Sequence, residues 1–137
     1  MQKYVLDSSA MIAFFRKETG AEKVKALLHQ SALSECTLYM HNASVAEFYY
    51  DVLYTLSQSD SEQVLDKVAG YPINFIENIS SNFIKQIGYF KTNYKISFAD
   101  SFVLASAKLN DAKVLTSDHH EFDVIEKSGD IMFEWIR

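Results

Sequence analysis

The sequence predicts an α/β fold, a three-layer α/β/α sandwich around a central, mainly parallel sheet of four to five strands. Short apolar runs alternate with longer segments of helical periodicity along most of the chain. This order is typical of parallel strands joined by right-handed helical crossovers. Two of the apolar runs, at residues 4–6 and 114–115, end in the same way, with hydroxyl residues and an aspartate just past the strand.

The first half of the chain predicts two strands and two short helices before its clearest helix. The strand at 3–6 is an apolar run that stops at an aspartate, and Ser8 or Ser9 can cap the helix that follows as far as residue 15. A second helix at 22–30 and a strand at 37–40 come next. The segment 45–56 carries apolar side chains at helical spacing and predicts an amphipathic helix.

The second half continues the alternation of helices and strands. A helix at 61–69 ends at Gly70 and Pro72, which are typical helix stops. The helix at 98–109 is apolar almost all round and is therefore expected to be buried. The other predicted elements are a helix at 82–93 and strands at 73–76, 114–116 and 131–135.

Composition and length are those of one globular domain spanning residues 1–137. The chain is 48% apolar and 23% charged, as folded proteins are, and no linker or repeat divides it. The single cysteine, Cys36, forms no internal disulfide, which suits a reducing compartment. Asp7 interrupts the first apolar stretch, so no signal peptide is predicted, and no apolar run approaches the roughly 20 residues that span a bilayer. We expect a soluble, cytoplasmic domain with no membrane contact.

The net charge of −5 limits the ways in which this chain can bind nucleic acid. Proteins that bind nucleic acid by overall attraction are normally basic, so contact here depends on local basic patches or on metal ions in an acidic cleft. Two basic clusters are candidates, and each is equally well explained as a solvated helix face. They are Arg16, Lys17, Lys23 and Lys25, and Lys85, Lys91 and Lys95.

Four acidic residues form the candidate site. Asp7 and Asp118 follow the two matching apolar runs, and ligands of a parallel α/β sheet bind at the carboxyl ends of its strands. Glu47 and Asp100 each stand three residues after a serine, a spacing that matches a helix capping box. Because helices that follow strands begin at this same edge, the four carboxylates are expected to meet there.

Each acid also has a purely structural explanation. Aspartate is common in turns and helix caps, and Glu47 lies opposite the apolar stripe of its helix, where a solvated residue is expected. Asp100 is less easily explained in this way, because it opens a helix expected to be buried and an unpaired buried charge is costly. The capping pattern also recurs where no chemistry is predicted, at Thr19 with Glu22 and Ser59 with Glu62.

Converging carboxylates repel one another unless a cation lies between them, so the four acids predict a metal site. Oxygen donors without a Cys or His cluster favour Mg²⁺ or Mn²⁺. His119 and His120 are expected to face solvent on a loop, and Asp123 is either a fifth acid or an ordinary loop residue. Hydroxyls that could orient the carboxylates, or serve only in turns and caps, belong to Ser8, Ser9, Thr116 and Ser117.

With these motifs in this order, the chain resembles the PIN-domain ribonucleases, particularly the VapC-like toxins of toxin–antitoxin pairs. The resemblance rests on residues 5–10, 44–47, 99–101 and 115–118, followed by Phe122 and Asp123. It implies a PIN-like fold over essentially the whole chain and a Mg²⁺- or Mn²⁺-dependent endoribonuclease. It also implies a homodimer and an antitoxin segment that plugs the acidic cleft. The catalytic and metal-binding quartet falls on Asp7, Glu47, Asp100 and Asp118, with a supporting hydroxyl at Thr116 or Ser117.

Two functions remain open at this point. The first is metal-assisted hydrolysis of RNA phosphodiester bonds, leaving a 5′-phosphate and a 3′-hydroxyl. The second is a catalytically silent PIN-like module that acts by binding protein or RNA, which the negative net charge favours. A phosphoacceptor receiver domain is disfavoured, because Ser8 and Ser9 follow Asp7 where a second acid is needed and Lys113 precedes its strand.

The aromatic residues around segment 45–56 pose a separate question. Tyr50 and Tyr54 exceed what one apolar stripe requires. They favour a dimer surface over a platform on which RNA bases stack.

Overall fold

In the computed structural model, which describes residues 1–137, five strands form one sheet in the order β3-β2-β1-β4-β5. The strands are β1 (Lys3–Leu6), β2 (Thr37–His41), β3 (Asn74–Ile76), β4 (Lys113–Thr116) and β5 (Phe133–Trp135). Every neighbouring pair is parallel. The predicted sheet is confirmed, and it is parallel throughout.

Seven helices cover the two faces of this sheet. They are α1 (Ser8–Phe15), α2 (Ala21–Ala32), α3 (Asn42–Leu53), α4 (Gln58–Ala69), α5 (Ser81–Asn93), α6 (Phe98–Asn110) and α7 (His119–Ser128). None of them is long and apolar enough to cross a membrane. The predicted helices are present with shifted ends, and α7 is an additional helix in the segment after Asp118, for which the sequence predicts a loop.

The core has two halves separated by the sheet. Alternate residues of β1 point to opposite faces, as in any strand: Leu6 packs with α1 to α4, and Val5 packs with α5 to α7. The largest fully buried side chains come from both halves, with Phe48 in one and Phe90 and Phe122 in the other. The predicted three-layer α/β/α architecture is therefore confirmed.

Strand order determines where a site can form. The chain runs from β1 outward through β2 to β3 and then returns to the other side of β1 to form β4. The carboxyl ends of β1 and β4 therefore flank a topological switch point, the usual ligand site of an open parallel sheet. Leu6 pairs with Leu115 in register, so the residues that follow these two strands are neighbours.

Candidate active site

Asp7 lies at the switch point, directly after β1. It occupies the N-cap position of α1, yet its side chain caps no backbone N–H. Its Oδ2 instead accepts hydrogen bonds from Ser9 Oγ at 2.7 Å and from Thr116 Oγ1 at 2.9 Å. The side chain is buried, and no lysine, arginine or histidine pairs with it. A helix cap therefore does not explain why an acid is placed here.

Hydroxyl groups join the ends of β1 and β4. Thr116 Oγ1 donates to Asp7 and accepts from the Asp118 N–H at 3.0 Å. Ser9 Oγ accepts from the Ser117 N–H at 3.2 Å and lies 3.1 Å from Thr116 Oγ1. Ser117 thus contributes its backbone to this network, and Ser9 Oγ contacts Asp7, Thr116 and Ser117.

Asp118 and Asp100 both begin helices. Asp118 is the N-cap of α7, with Oδ1 accepting from the Glu121 N–H at 3.2 Å. Asp100 forms a reciprocal capping box with Ser97 at the start of α6. It reaches the carboxyl edge because α6 leads into β4, which begins at the opposite edge of the sheet. Asp100 is buried, as predicted for this helix, and no lysine, arginine or histidine pairs with it.

Glu47 lies one turn into α3 and faces the same edge. Its carboxylate accepts a hydrogen bond from Ser8 Oγ, and the Tyr50 hydroxyl lies 3.5 Å from its other oxygen. The predicted capping box at Ser44 is wrong, because α3 begins earlier, with His41 as its N-cap. The expectation that Glu47 is simply solvated is also wrong, since the residue is half-buried against Ser8.

The electrostatics of the site are those of crowded acids. Burial is the main factor that raises the pKa of Asp7 to about 6, and hydrogen bonds from Ser9 and Thr116 limit the rise. The charges of Glu47 and Asp118 raise it further. Burial also raises the pKa of Asp100 to about 7, with the Asp7 charge as the next cause. The ionised forms of Asp7 and Asp100 are therefore less favourable in this site than in water.

All four predicted acids line one open cleft of about 360 Å³. Three further acids, which the sequence analysis did not identify, and one basic residue line it as well. These are Glu18, Asp51 and Glu121, and Arg137. Glu121 had a recognisable signal, because it stands three residues after the N-cap Asp118. Glu18 lies in the loop between α1 and α2 and Asp51 lies on α3, and no sequence pattern distinguishes either of them.

The donor set fits a hard divalent cation, since it consists of carboxylate and hydroxyl oxygens without sulfur or imidazole. The side chains are not already arranged around one point. No group of three or more His, Cys, Asp or Glu residues has a geometry that could hold an ion as it stands. Binding an ion therefore requires these carboxylates to turn toward one another.

His119, His120 and Asp123 lie outside this cleft, at the start of α7 and in its second turn. The His119 ring stacks on Trp135 at 3.8 Å and contacts Asp123 Oδ1 at 2.8 Å. The stacking holds α7 against the end of β5, whereas the contact with Asp123 lies within α7 itself. His120 is exposed to solvent, as expected. None of the residues of the two predicted basic patches lines the cleft.

Comparison with known proteins agrees with this architecture. A model of the PIN domain family matches residues 4–127, whereas no curated protein matches the sequence. Among solved structures, the chain is similar to VapBC2 from Rickettsia felis bound to a promoter DNA fragment, at 17% identity with 98% of each chain covered and a TM-score of 0.76. It is also similar to DNA-bound VapBC from Salmonella typhimurium, at 14% identity, full coverage of both chains and a TM-score of 0.76.

A third similar structure is VapBC-1 from nontypeable Haemophilus influenzae, at 18% identity, 98% coverage of each chain and a TM-score of 0.73. At these identities the solved structures establish a shared fold. The family match spans most of the chain and agrees with the sheet order and with the motifs at its carboxyl edge. The resemblance stated from the sequence is thereby confirmed: this chain belongs to the PIN domain family.

Proposed function

We propose that this PIN domain is a Mg²⁺- or Mn²⁺-dependent endoribonuclease and the toxin of a cytoplasmic toxin–antitoxin pair. One observation carries the proposal: the carboxylates of Asp7, Glu47, Asp100 and Asp118 line a single cleft, and no lysine or arginine pairs with any of them. Such a group of acids is costly to keep ionised and becomes favourable when a divalent cation binds among them.

Asp7, Asp100 and Asp118 would hold the ion, with Glu47 as a fourth carboxylate. When bound, the cation supplies positive charge that favours ionisation of water and stabilises charge on the phosphate. Ser9 and Thr116 keep the Asp7 carboxylate in one orientation through their hydroxyl groups. Ser8 does the same for Glu47.

One carboxylate must also accept a proton from the attacking water. This role suits a carboxylate of the quartet that the ion does not fully engage. The water oxygen bonds to phosphorus while the bond from phosphorus to the 3′ oxygen breaks. The water proton passes to the carboxylate and the departing 3′ oxygen takes a proton from solvent, so the products are a 5′-phosphate and a 3′-hydroxyl.

The partners we propose are an antitoxin and a second copy of the chain. Similar structures include a toxin–antitoxin complex from Klebsiella pneumoniae, at 18% identity with a TM-score of 0.62. The acidic cleft suits an antitoxin segment that carries a basic side chain. Tyr50 on α3 and Tyr54, the residue that follows this helix, are 50% and 81% exposed, and they form an edge-to-face pair that a dimer would cover.

The test is incubation of the purified chain with total RNA in the presence of Mg²⁺, Mn²⁺ or a chelator. We expect discrete cleavage products that disappear with chelator. Asp100→Asn should reduce cleavage by at least about 100-fold, since it removes an acid placed in the reaction. The matched control is Asp66→Asn, which makes the same change on the exposed surface of α4. Cleavage that survives chelator or Asp100→Asn would contradict the proposal, and no cleavage at all would favour the catalytically silent module.

A further inference from the structure

Arg137 is the one basic residue among those that line the acidic cleft, which also holds seven carboxylates. It follows β5, on the side of the cleft formed by the α1–α2 loop. The catalytic proposal above gives Arg137 no role. An arginine at the edge of a cleft otherwise suited only to cations therefore needs its own explanation.

The backbone before and at Arg137 is held from three sides. The Ile136 N–H donates to Thr116 O at 3.0 Å, which continues the pairing of β5 with β4. His119 Nε2 lies 2.9 Å from the carbonyl oxygen of Arg137. Gly20, at φ +99°, lies so close that a Cβ there would be 2.7 Å from Ile136 O. Arg137 thus occupies a defined position at the cleft, because its backbone has few alternatives.

The guanidinium group is only partly used within the protein. Its Nη1 donates to Thr19 O at 2.8 Å and contacts Glu18 Oε1 at 3.4 Å. The side chain remains 38% exposed. A guanidinium has five N–H donors, and the remaining nitrogens, Nε and Nη2, make no hydrogen bond in the structure. They are available to an acceptor that enters the cleft.

We propose that Arg137 binds a backbone phosphate of the RNA strand in the cleft and so positions the strand relative to the four acids. This inference rests on the proposed ribonuclease function. The guanidinium fork matches two phosphate oxygens, and a charge-assisted pair of this kind is strong. RNA also needs a local positive charge here, because Arg137 is the one lysine or arginine among lining residues that include seven carboxylates. The competing explanation is that Arg137 only fastens the α1–α2 loop through Glu18 and Thr19.

The test measures RNA binding without cleavage. A fluorescein-labelled single-stranded oligoribonucleotide is titrated with protein in chelator, and anisotropy gives Kd over a series of KCl concentrations. Arg137→Gln should weaken binding roughly three- to tenfold at low salt. It should also reduce the slope of log Kd against log salt by about 0.7, the contribution of one single-strand phosphate. A residue that only fastens a loop would leave the slope unchanged.

Two further variants sharpen the result. Lys3→Gln makes the same charge change at the opposite edge of the sheet, where Lys3 is exposed, and should leave Kd and slope as in the wild type. Glu18→Gln frees the guanidinium from its partner. Glu18→Gln should tighten RNA binding when Arg137 is present and tighten it much less in the Arg137→Gln variant. If Glu18→Gln acted only by removing one negative charge, it would tighten RNA binding equally in both proteins.

Equal slopes for wild type and Arg137→Gln would overturn the inference, as would an absence of RNA binding by the wild type in chelator. If either result is accompanied by chelator-sensitive cleavage of RNA, it contradicts only the proposed contact between Arg137 and phosphate, and the proposed ribonuclease function is unaffected. If the wild type cleaves no RNA with Mg²⁺ or Mn²⁺ present, the proposed ribonuclease function is itself contradicted.

Discussion

At the scale of single residues, the most informative side chain is Asp7. It is buried, accepts two hydroxyl hydrogen bonds and has a pKa raised to about 6. A fold selected for stability alone would not retain a carboxylate that resists ionisation in this position, since an amide accepts the same bonds without charge. A raised pKa of this kind is typical of residues at functional sites and supports the role proposed for Asp7.

We therefore expect Asp7→Asn to abolish cleavage and to stabilise the metal-free protein. At about pH 8 the gain should be about 1–3 kcal/mol, because the raised pKa measures the energy that ionisation of Asp7 takes from the folded state. The asparagine oxygen can still accept from Ser9 and Thr116. Urea denaturation in chelator gives the free energy of unfolding for both proteins.

The pH dependence supplies the control for this variant. Because the folded-state pKa of Asp7 lies above the unfolded value of 3.8, the wild type loses stability as pH rises from about 4 toward 6. Below about pH 4 the carboxyl is protonated in both states, so this part of the difference between the two proteins should vanish. If Asp7→Asn is less stable than the wild type at about pH 8, ionised Asp7 does not destabilise the folded state as we expect.

At the scale of elements, helix starts determine how the cleft is built, and His41 at the start of α3 is the least expected of them. Its Nδ1 accepts from the Ala43 N–H at 3.0 Å, and its Nε2 donates to Asn78 O at 3.0 Å. The ring packs against Phe83 and Phe102, with centroids 5.0 and 4.9 Å away. His41 thereby links α3, the helix of Glu47, to α5 and α6.

We expect His41→Ala to destabilise the fold by about 2–4 kcal/mol, since it loses both the cap and a buried ring. His41→Asn retains a capping acceptor and should recover about 1 kcal/mol of that loss. Chemical denaturation of the three proteins measures both differences. Equal stability of the two variants would show that the cap contributes nothing and that packing alone matters.

The protonation of His41 gives an independent check on this prediction. Burial lowers its pKa below 6.5, with the hydrogen bond to Asn78 opposing the shift. The unfolded chain therefore takes up the proton first as pH falls, and the stability contributed by the neutral ring is lost on acidification below about pH 6.5. The advantage of the wild type over His41→Asn should shrink between about pH 7.5 and pH 5.5.

Helix starts also show where prediction from the sequence succeeded and failed. The capping box of Ser97 and Asp100 is real, because both partners are local and the helix behind them is strongly apolar. The same pattern at Ser44 fails, because the true cap is a histidine whose ring is held by residues distant in sequence. Helix α7 is only ten residues long, and its buried apolar side chains are the single pair Phe122 and Ile125, one helical turn apart.

At the scale of the whole molecule, the alternation of strands and helices predicted the architecture, and the two matching strand ends predicted that Asp7 and Asp118 lie near each other. The strand order could not be predicted from this alternation. The order that makes β1 and β4 neighbours depends on contacts between segments distant in sequence. Glu18 and Arg137 were likewise unpredictable, since they meet at the cleft only because the end of β5 packs against the α1–α2 loop.

Charge on the whole molecule leads to a final prediction, on metal binding and pH. The raised pKa values of Asp7 and Asp100, about 6 and 7, mean that the metal-free protein loses stability as pH rises from about 4 to about 7. A divalent cation bound among the ionised acids opposes this loss. At about pH 5.5 the ion must first displace protons, so it should stabilise much less there than at about pH 8.

Thermal unfolding with added MgCl₂ or MnCl₂ measures this effect. We expect Tm to rise by roughly 2–8 °C at about pH 8, which corresponds to about 1–2 kcal/mol, and to change little at about pH 5.5. KCl at matched ionic strength is the control for general screening. The double variant of Asp7→Asn with Asp100→Asn should lose the response at both pH values. A rise in Tm that is equal at the two pH values, or that persists in the double variant, would place the ion elsewhere on this acidic protein.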